Sequence, residues 1–206
     1  MQSNESKPRG TLPYRIVHKF SFNAPVVLTF VLLCAAARIA ADLTGERSNS
    51  LLFCVYRSSF ADPLAYVRVF LHVLGHGSWS HLLNNMLYIL ILGPMLEEKY
   101  GHADLLLVIL ATALVTGIIN LCFFPNTALL GASGVVFAMI LLSSITETKE
   151  HTIPVTFLLV ALLYLGKQVY DGLFVDNNVS EMAHIVGGLL GSGFGFLMNG
   201  IRRKKA

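Results

Sequence analysis

The sequence predicts an all-α membrane protein, a six-transmembrane-helix bundle with a long interfacial outer loop between spans one and two. Three observations carry that prediction. Of 206 residues, 54% are hydrophobic and only 13% charged, with a mean hydropathy of +0.64. This is about half the charge fraction of an ordinary soluble domain. The 15 basic and 12 acidic residues fall in clusters that separate apolar runs, and the basic ones favour alternate clusters, as loops on one side of a membrane do. So little charge disfavours a disordered chain, a collagen-like repeat or a dedicated nucleic-acid binder.

Residues 1–22 form a polar, basic tail, and residues 200–206 form a second one around Arg202, Arg203, Lys204 and Lys205. The intervening domain, 23–199, begins with span one at Pro25 to Leu43. Ala35-Ala36-Ala37 imitates a signal-peptide cleavage site, but a leader of more than twenty residues is long and the remaining chain is equally apolar, so the span is expected to be retained. Arg38 is expected to snorkel from an end of it. The loop from Thr44 to Ser80 mixes Arg47, Arg57 and Arg68 with Phe53, Tyr56, Phe60, Tyr66, Phe70 and Trp79, a composition suited to the membrane interface. Span two covers His81 to Met95, before Glu97-Glu98-Lys99. Pro125-Asn126-Thr127 divides the uncharged stretch that follows into span three, Leu105 to Phe124, and span four, Gly131 to Ile145. Span five covers Ile153 to Leu165 and span six Met182 to Met198. Lys7, Arg9, Arg15, Lys19, Lys99, Lys149 and the C-terminal cluster lie on one side, Arg47, Arg57, Arg68 and Lys167 on the other. Both termini are therefore expected in the cytoplasm, and spans two, four and six each begin at the outer face.

Polar side chains inside apolar spans are costly unless paired or functional. His81 and Asn85 sit one turn apart at the start of span two, sharing a face. Ser133 opens span four within Gly131-Ala132-Ser133-Gly134, and His184 opens span six. Topology brings these four to one depth. A stripe of Ala183, Gly187, Gly191 and Gly195 on span six suits close helix approach, and Gly131, Gly134 and Ala138 offer a matching surface on span four. At about 1.5 Å per residue span four is shorter than the hydrocarbon layer, so Pro125 to Leu130 is expected to descend into the membrane toward a watery cavity.

A serine hydroxyl becomes a nucleophile when a neighbouring imidazole takes its proton. No carboxylate accompanies His184 within a span, which points to a Ser133–His184 dyad. His81, Asn85 and the backbone N–H of Ser133 could supply donors to an oxyanion. Ser143 and Ser144, by contrast, are expected to bond to their own helix backbone. His72 and His76 lack the Glu of a zinc-binding H-E-x-x-H and are read as braces of the loop. Cys34, Cys54 and Cys122, odd in number and widely spaced, are read as packing residues.

In these residues the chain resembles the rhomboid intramembrane serine proteases, from about Leu51 to Gly195. The family's H-x-x-x-N is present as His81 to Asn85, its G-x-S-G as Gly131 to Gly134, its A-H-x-x-G-x-x-x-G from Ala183 to Gly191, and its G-x-x-x-E-x-x-x-G as Gly93, Glu97 and Gly101. Tyr66-Val67-Arg68 departs from the Trp-Arg pair of many relatives. The resemblance implies a rhomboid-like bundle in a multi-pass protein of the cell membrane, prokaryotic more readily than organellar. Ser133 would be the nucleophile, His184 the general base, and His81 and Asn85 oxyanion and substrate-positioning residues. The implied partners are the lipid bilayer and the transmembrane segment of another protein, cut near its outer end. No metal, organic cofactor or nucleic acid is implied. The alternatives are a catalytically silent rhomboid-like protein that binds membrane clients, which would be marked by loss of Ser133 or His184, and a small transporter, for which neither mid-span acidic pairs nor an inverted repeat is present.

Overall fold

The computed structural model describes residues 22–146, 152–174 and 180–203. These are helical throughout apart from short connections and one isolated backbone bridge. The terminal tails lie mostly outside the described residues.

Helix α1, Pro25–Thr44, starts with a proline that has no N–H to satisfy and stops at Gly45, where φ is 57°. Its next free donors, the N–H groups of Val26 and Val27, donate to the Glu97 carboxylate at 2.9 and 3.0 Å. Glu97 is thus a buried cap for another helix, which explains how a carboxylate persists in an apolar bundle. The loop after α1 holds α2, Arg47–Leu52, and α3, Pro63–Leu71, whose N-cap Asp62 accepts from the Leu64 N–H at 3.0 Å. A single 3-10 turn, His72–Leu74, leads on toward α4, Trp79–Tyr100. Then come α5, His102–Phe123, and α6, Ser133–Ser143, followed by α7, Val155–Phe174, and α8, Glu181–Arg203.

Helix α6 is the axis of the bundle. Gly134, Val135, Val136 and every residue from Ala138 to Leu142 are buried, and α4, α5, α7 and α8 surround it. Its contact with α8 is the tightest. A Cβ placed on Gly187 would lie 2.1 Å from the Gly134 carbonyl oxygen, and one on Gly191 2.1 Å from that of Ala138. At Gly187 and Gly191 the small-residue stripe on α8 is therefore a backbone-to-backbone seam, while Gly195 meets the Ile145 and Leu142 side chains. Gly131 is not part of it and faces α4 instead, because the chain turns before α6 begins.

Four helices are long and apolar enough to cross a membrane: Pro25–Thr44, His102–Phe123, Val155–Phe174 and Glu181–Gly200. Helix α4 is not among them, and α6 is only 11 residues long. Several boundaries differ from the sequence reading. Helix α4 continues past Met95 to Tyr100, and α7 runs on through Lys167 to Phe174. The reason is the same in both: apart from the exposed Glu98, the charges expected to end the helix have partners. Glu97 caps α1, Lys99 donates to the Thr146 carbonyl, and Lys167 pairs with Asp171 one turn on. Arg38 does not snorkel. It is buried and bonded to Asp42, to Glu46 and to the His76 carbonyl, because the loop folds back over it. Cys34 and Cys54 are buried as expected for packing residues, whereas Cys122 is exposed near the end of α5.

Candidate active site

The N-terminal ends of α4, α6 and α8 meet at one end of the bundle around a cavity of about 590 Å³. Its wall includes Ser133, His184, His81 and Asn85, so the four side chains singled out in the sequence share one space. No Asp or Glu lines it among the described residues; Lys167 is the formally charged side chain on its wall.

The placement follows from backbone contacts. Ser133 is the first residue of α6, and its neighbour Gly134 packs against the Ala183 carbonyl, 3.2 Å from where a Cβ would be. Ala183 in turn precedes His184. The α6–α8 seam thus passes one residue from both Ser133 and His184. The approach to Ser133 is also anchored: Val55 and Leu129 exchange two backbone hydrogen bonds of 2.8 Å, and the Gly131 N–H donates to the His72 carbonyl at 2.9 Å. The Asn120 side chain adds bonds to the Val55 and Thr127 carbonyls. The segment between α5 and α6, which lacks helical bonds of its own, is thus tied to the protein at Thr127, Leu129 and Gly131.

His184 is 8% exposed and its ring lies flat on Phe137, with centroids 4.4 Å apart and planes 4° from parallel. Phe137 is one turn beyond Ser133 on the same helix. The Nδ1 of His184 is 2.6 Å from Oε1 of Gln168 on α7. Among the described residues no hydrogen bond joins Ser133 Oγ to His184; such bonds commonly close only when substrate is bound.

On the opposite wall, His81 leans on Gly131. A Cβ at Gly131, where φ is 128°, would come within 2.8 Å of His81 Cε1 and 3.9 Å of Asn85 Nδ2. Both side chains therefore reach the backbone just before Ser133. The Asn85 amide is oriented by His76, whose Nε2 accepts from Asn85 Nδ2 at 3.1 Å while Nδ1 lies 3.1 Å from the Leu74 carbonyl. Burial pushes the His76 imidazole down to about 4, so it is neutral near pH 7 and able to accept that bond. The His76 carbonyl is itself held by Arg38 at 2.6 Å and Asn49 at 3.1 Å. His72 braces the loop from elsewhere, with Nδ1 3.0 Å from the Val69 carbonyl and Nε2 3.2 Å from Thr116 Oγ1. Ser143 and Ser144 bond to the carbonyls of Ile140 and Leu141 in their own helix, as anticipated.

Two contributors escape the sequence reading. Gln168 lies beyond the Ile153 to Leu165 bounds expected for span five, although a neutral amide inside an apolar helix is itself a signal. His76, expected to brace the loop, also has His81 across its ring edge, 5.0 Å between centroids.

An imidazole and a helix-N-terminal serine that line one cavity, with a second imidazole and an amide on its wall, form an arrangement suited to acyl transfer. Residues 63–200 match the model of the Rhomboid domain, so the chain belongs to the rhomboid family. It is 25% identical over 182 residues to the rhomboid protease GlpG of Haemophilus influenzae, covering 86% of this chain and 93% of that protein. It is 28% identical to rhomboid-related protein 2 of Mus musculus, over 92% of this chain and 74% of that protein. Its identity to the rhomboid protease GlpG of Yersinia pseudotuberculosis is also 28%, over 88% of this chain and 67% of that protein.

Proposed function

We propose that the chain is an intramembrane serine endopeptidase that cuts the transmembrane segments of other proteins near their outer ends. The observation that carries this reading is that Ser133, His184, His81 and Asn85 line one cavity in a chain of the rhomboid family. In this reading α4 and the short α6 join the four long helices as membrane spans. The α1–α4 loop lies in the interface, and both basic tails are cytoplasmic in a cell membrane. Capping of α1 by Glu97 supports the orientation, since it puts the start of α1 at the end of α4 remote from His81.

His184 takes the Ser133 proton as Oγ attacks the scissile carbonyl carbon. The carbonyl oxygen becomes an oxyanion facing Asn85 Nδ2, the His81 ring and the Ser133 backbone N–H, donors already fixed before reaction. Collapse of the tetrahedral intermediate breaks the C–N bond, and the imidazolium returns its proton to the departing amine. Water, activated by the same imidazole, then releases the acyl group from Ser133. The cavity admits water, and a bent or unwound peptide, to a depth where an intact helix would shield its amides.

Labelling by a fluorophosphonate probe tests this. The chain is expected to be labelled in liposomes, with labelling and cleavage of a model transmembrane substrate both lost in Ser133→Ala and in His184→Ala while insertion is unchanged. Cleavage surviving in Ser133→Ala would overturn the dyad. Absence of labelling in the unaltered chain would favour a silent client-binding protein.

A further inference from the structure

Helix α7 buries the smallest share of itself among the four long apolar helices. Of its described side chains Gln168 alone is buried, at 7% exposed, while Leu158, Leu159, Leu162 and Leu163 point outward. An amide is a costly group to bury unless it is bonded, and the partner of Gln168 is the Nδ1 of His184. Stacking on Phe137 fixes the plane of that ring but not which nitrogen carries the proton. A neutral imidazole has one donor and one acceptor nitrogen, whereas an amide oxygen only accepts. Gln168 Oε1 therefore selects the form protonated on Nδ1 and leaves the Nε2 lone pair for the Ser133 proton. Elsewhere a carboxylate performs this task; here no Asp or Glu lines the cavity among the described residues.

We propose that Gln168 is a positioning residue that holds His184 in its Nδ1–H tautomer through the bond across the α7–α8 contact. The catalytic part rests on the protease reading above; the tautomer does not.

The test is nitrogen NMR of the full chain carrying 15N-histidine, in lipid nanodiscs at about pH 8, where an ordinary imidazole is neutral. A Ser133→Ala background prevents self-cleavage, and loss of the signals in His184→Ala assigns them. The expected result is a His184 protonated on Nδ1, becoming a mixture or the Nε2–H form in Gln168→Leu. In the active chain, Gln168→Leu is expected to lower kcat about 10- to 100-fold with KM little changed, and Gln168→Glu, which keeps an acceptor, to recover most of it. A His184 found as Nε2–H with Gln168 intact, or a tautomer unmoved by Gln168→Leu, would overturn the proposal. The first of these needs no change at position 168, so misfolding of a variant does not blunt it. Failure of fluorophosphonate labelling would instead overturn the protease reading and leave the tautomer result standing.

Discussion

At Gly131 the backbone adopts a conformation that residues with a Cβ rarely hold, and the space a Cβ would need is taken by the His81 ring. Gly131→Ala is therefore expected to push His81 off the wall facing Ser133. The fold should be retained, but probe labelling of Ser133 should slow by an order of magnitude or more; unchanged labelling would mean that His81 is not a donor. Asn85→Ala is expected to cost about 10- to 1000-fold in kcat, the range for removing one oxyanion donor among several. At this scale the sequence was informative wherever a polar side chain interrupts an apolar run, as Ser133, Asn85 and His184 do. It did not reveal the partner of Gln168, which is sixteen residues away on another helix, nor that of His76, because a histidine in a loop gives no sign of which amide it will orient.

Among the helices, the α6–α8 seam decides whether Ser133 and His184 share a cavity at all. Gly187→Ala or Gly191→Ala would drive a methyl into a backbone carbonyl and is expected to cost about 1–3 kcal/mol, the usual penalty of overpacking. Gly193 has nothing within 4 Å of its would-be Cβ, so Gly193→Ala should be neutral or slightly stabilising, since alanine suits a helix better. Thermal unfolding in detergent would separate the two classes, and equal losses at all three positions would contradict the seam. The stripe and its partner surface were readable from spacing, apart from Gly131. The lengths of α4 and α7 were not, because a charge ends an apolar run on paper whether or not the fold supplies it with a partner.

Across the whole molecule, the loop between α1 and α4 is seated by Arg68. Its guanidinium is buried, lies 4.5 Å from the Tyr56 ring centroid, and bonds to Ser58, to the Leu51 carbonyl and to Asp62. The hydrogen bond from Arg68 holds the Asp62 carboxyl below the usual aspartate value of 3.8. A carboxyl depressed by folding stabilises the protein above its unfolded value and ceases to do so as pH falls through the folded one. Asp62→Asn keeps the N-cap and removes the ion pair. The difference in melting temperature between it and the unaltered chain should hold steady from about pH 8 to pH 5, shrink as pH falls past 3.8 and vanish once pH passes the depressed folded value; a difference that does not shrink in acid would show that Asp62 acts by its shape alone. Composition, charge placement and four short motifs sufficed for an apolar helical bundle and for the residues of its candidate site, because burial in lipid and nucleophilic chemistry both constrain which residue types can stand where. The pairings that let Glu97 and Arg38 lie within or against helices, and the bond that His184 Nδ1–H donates to Gln168, depend on groups distant in sequence meeting at hydrogen-bonding range. Local pattern carries no record of such meetings; they arise when the helices pack.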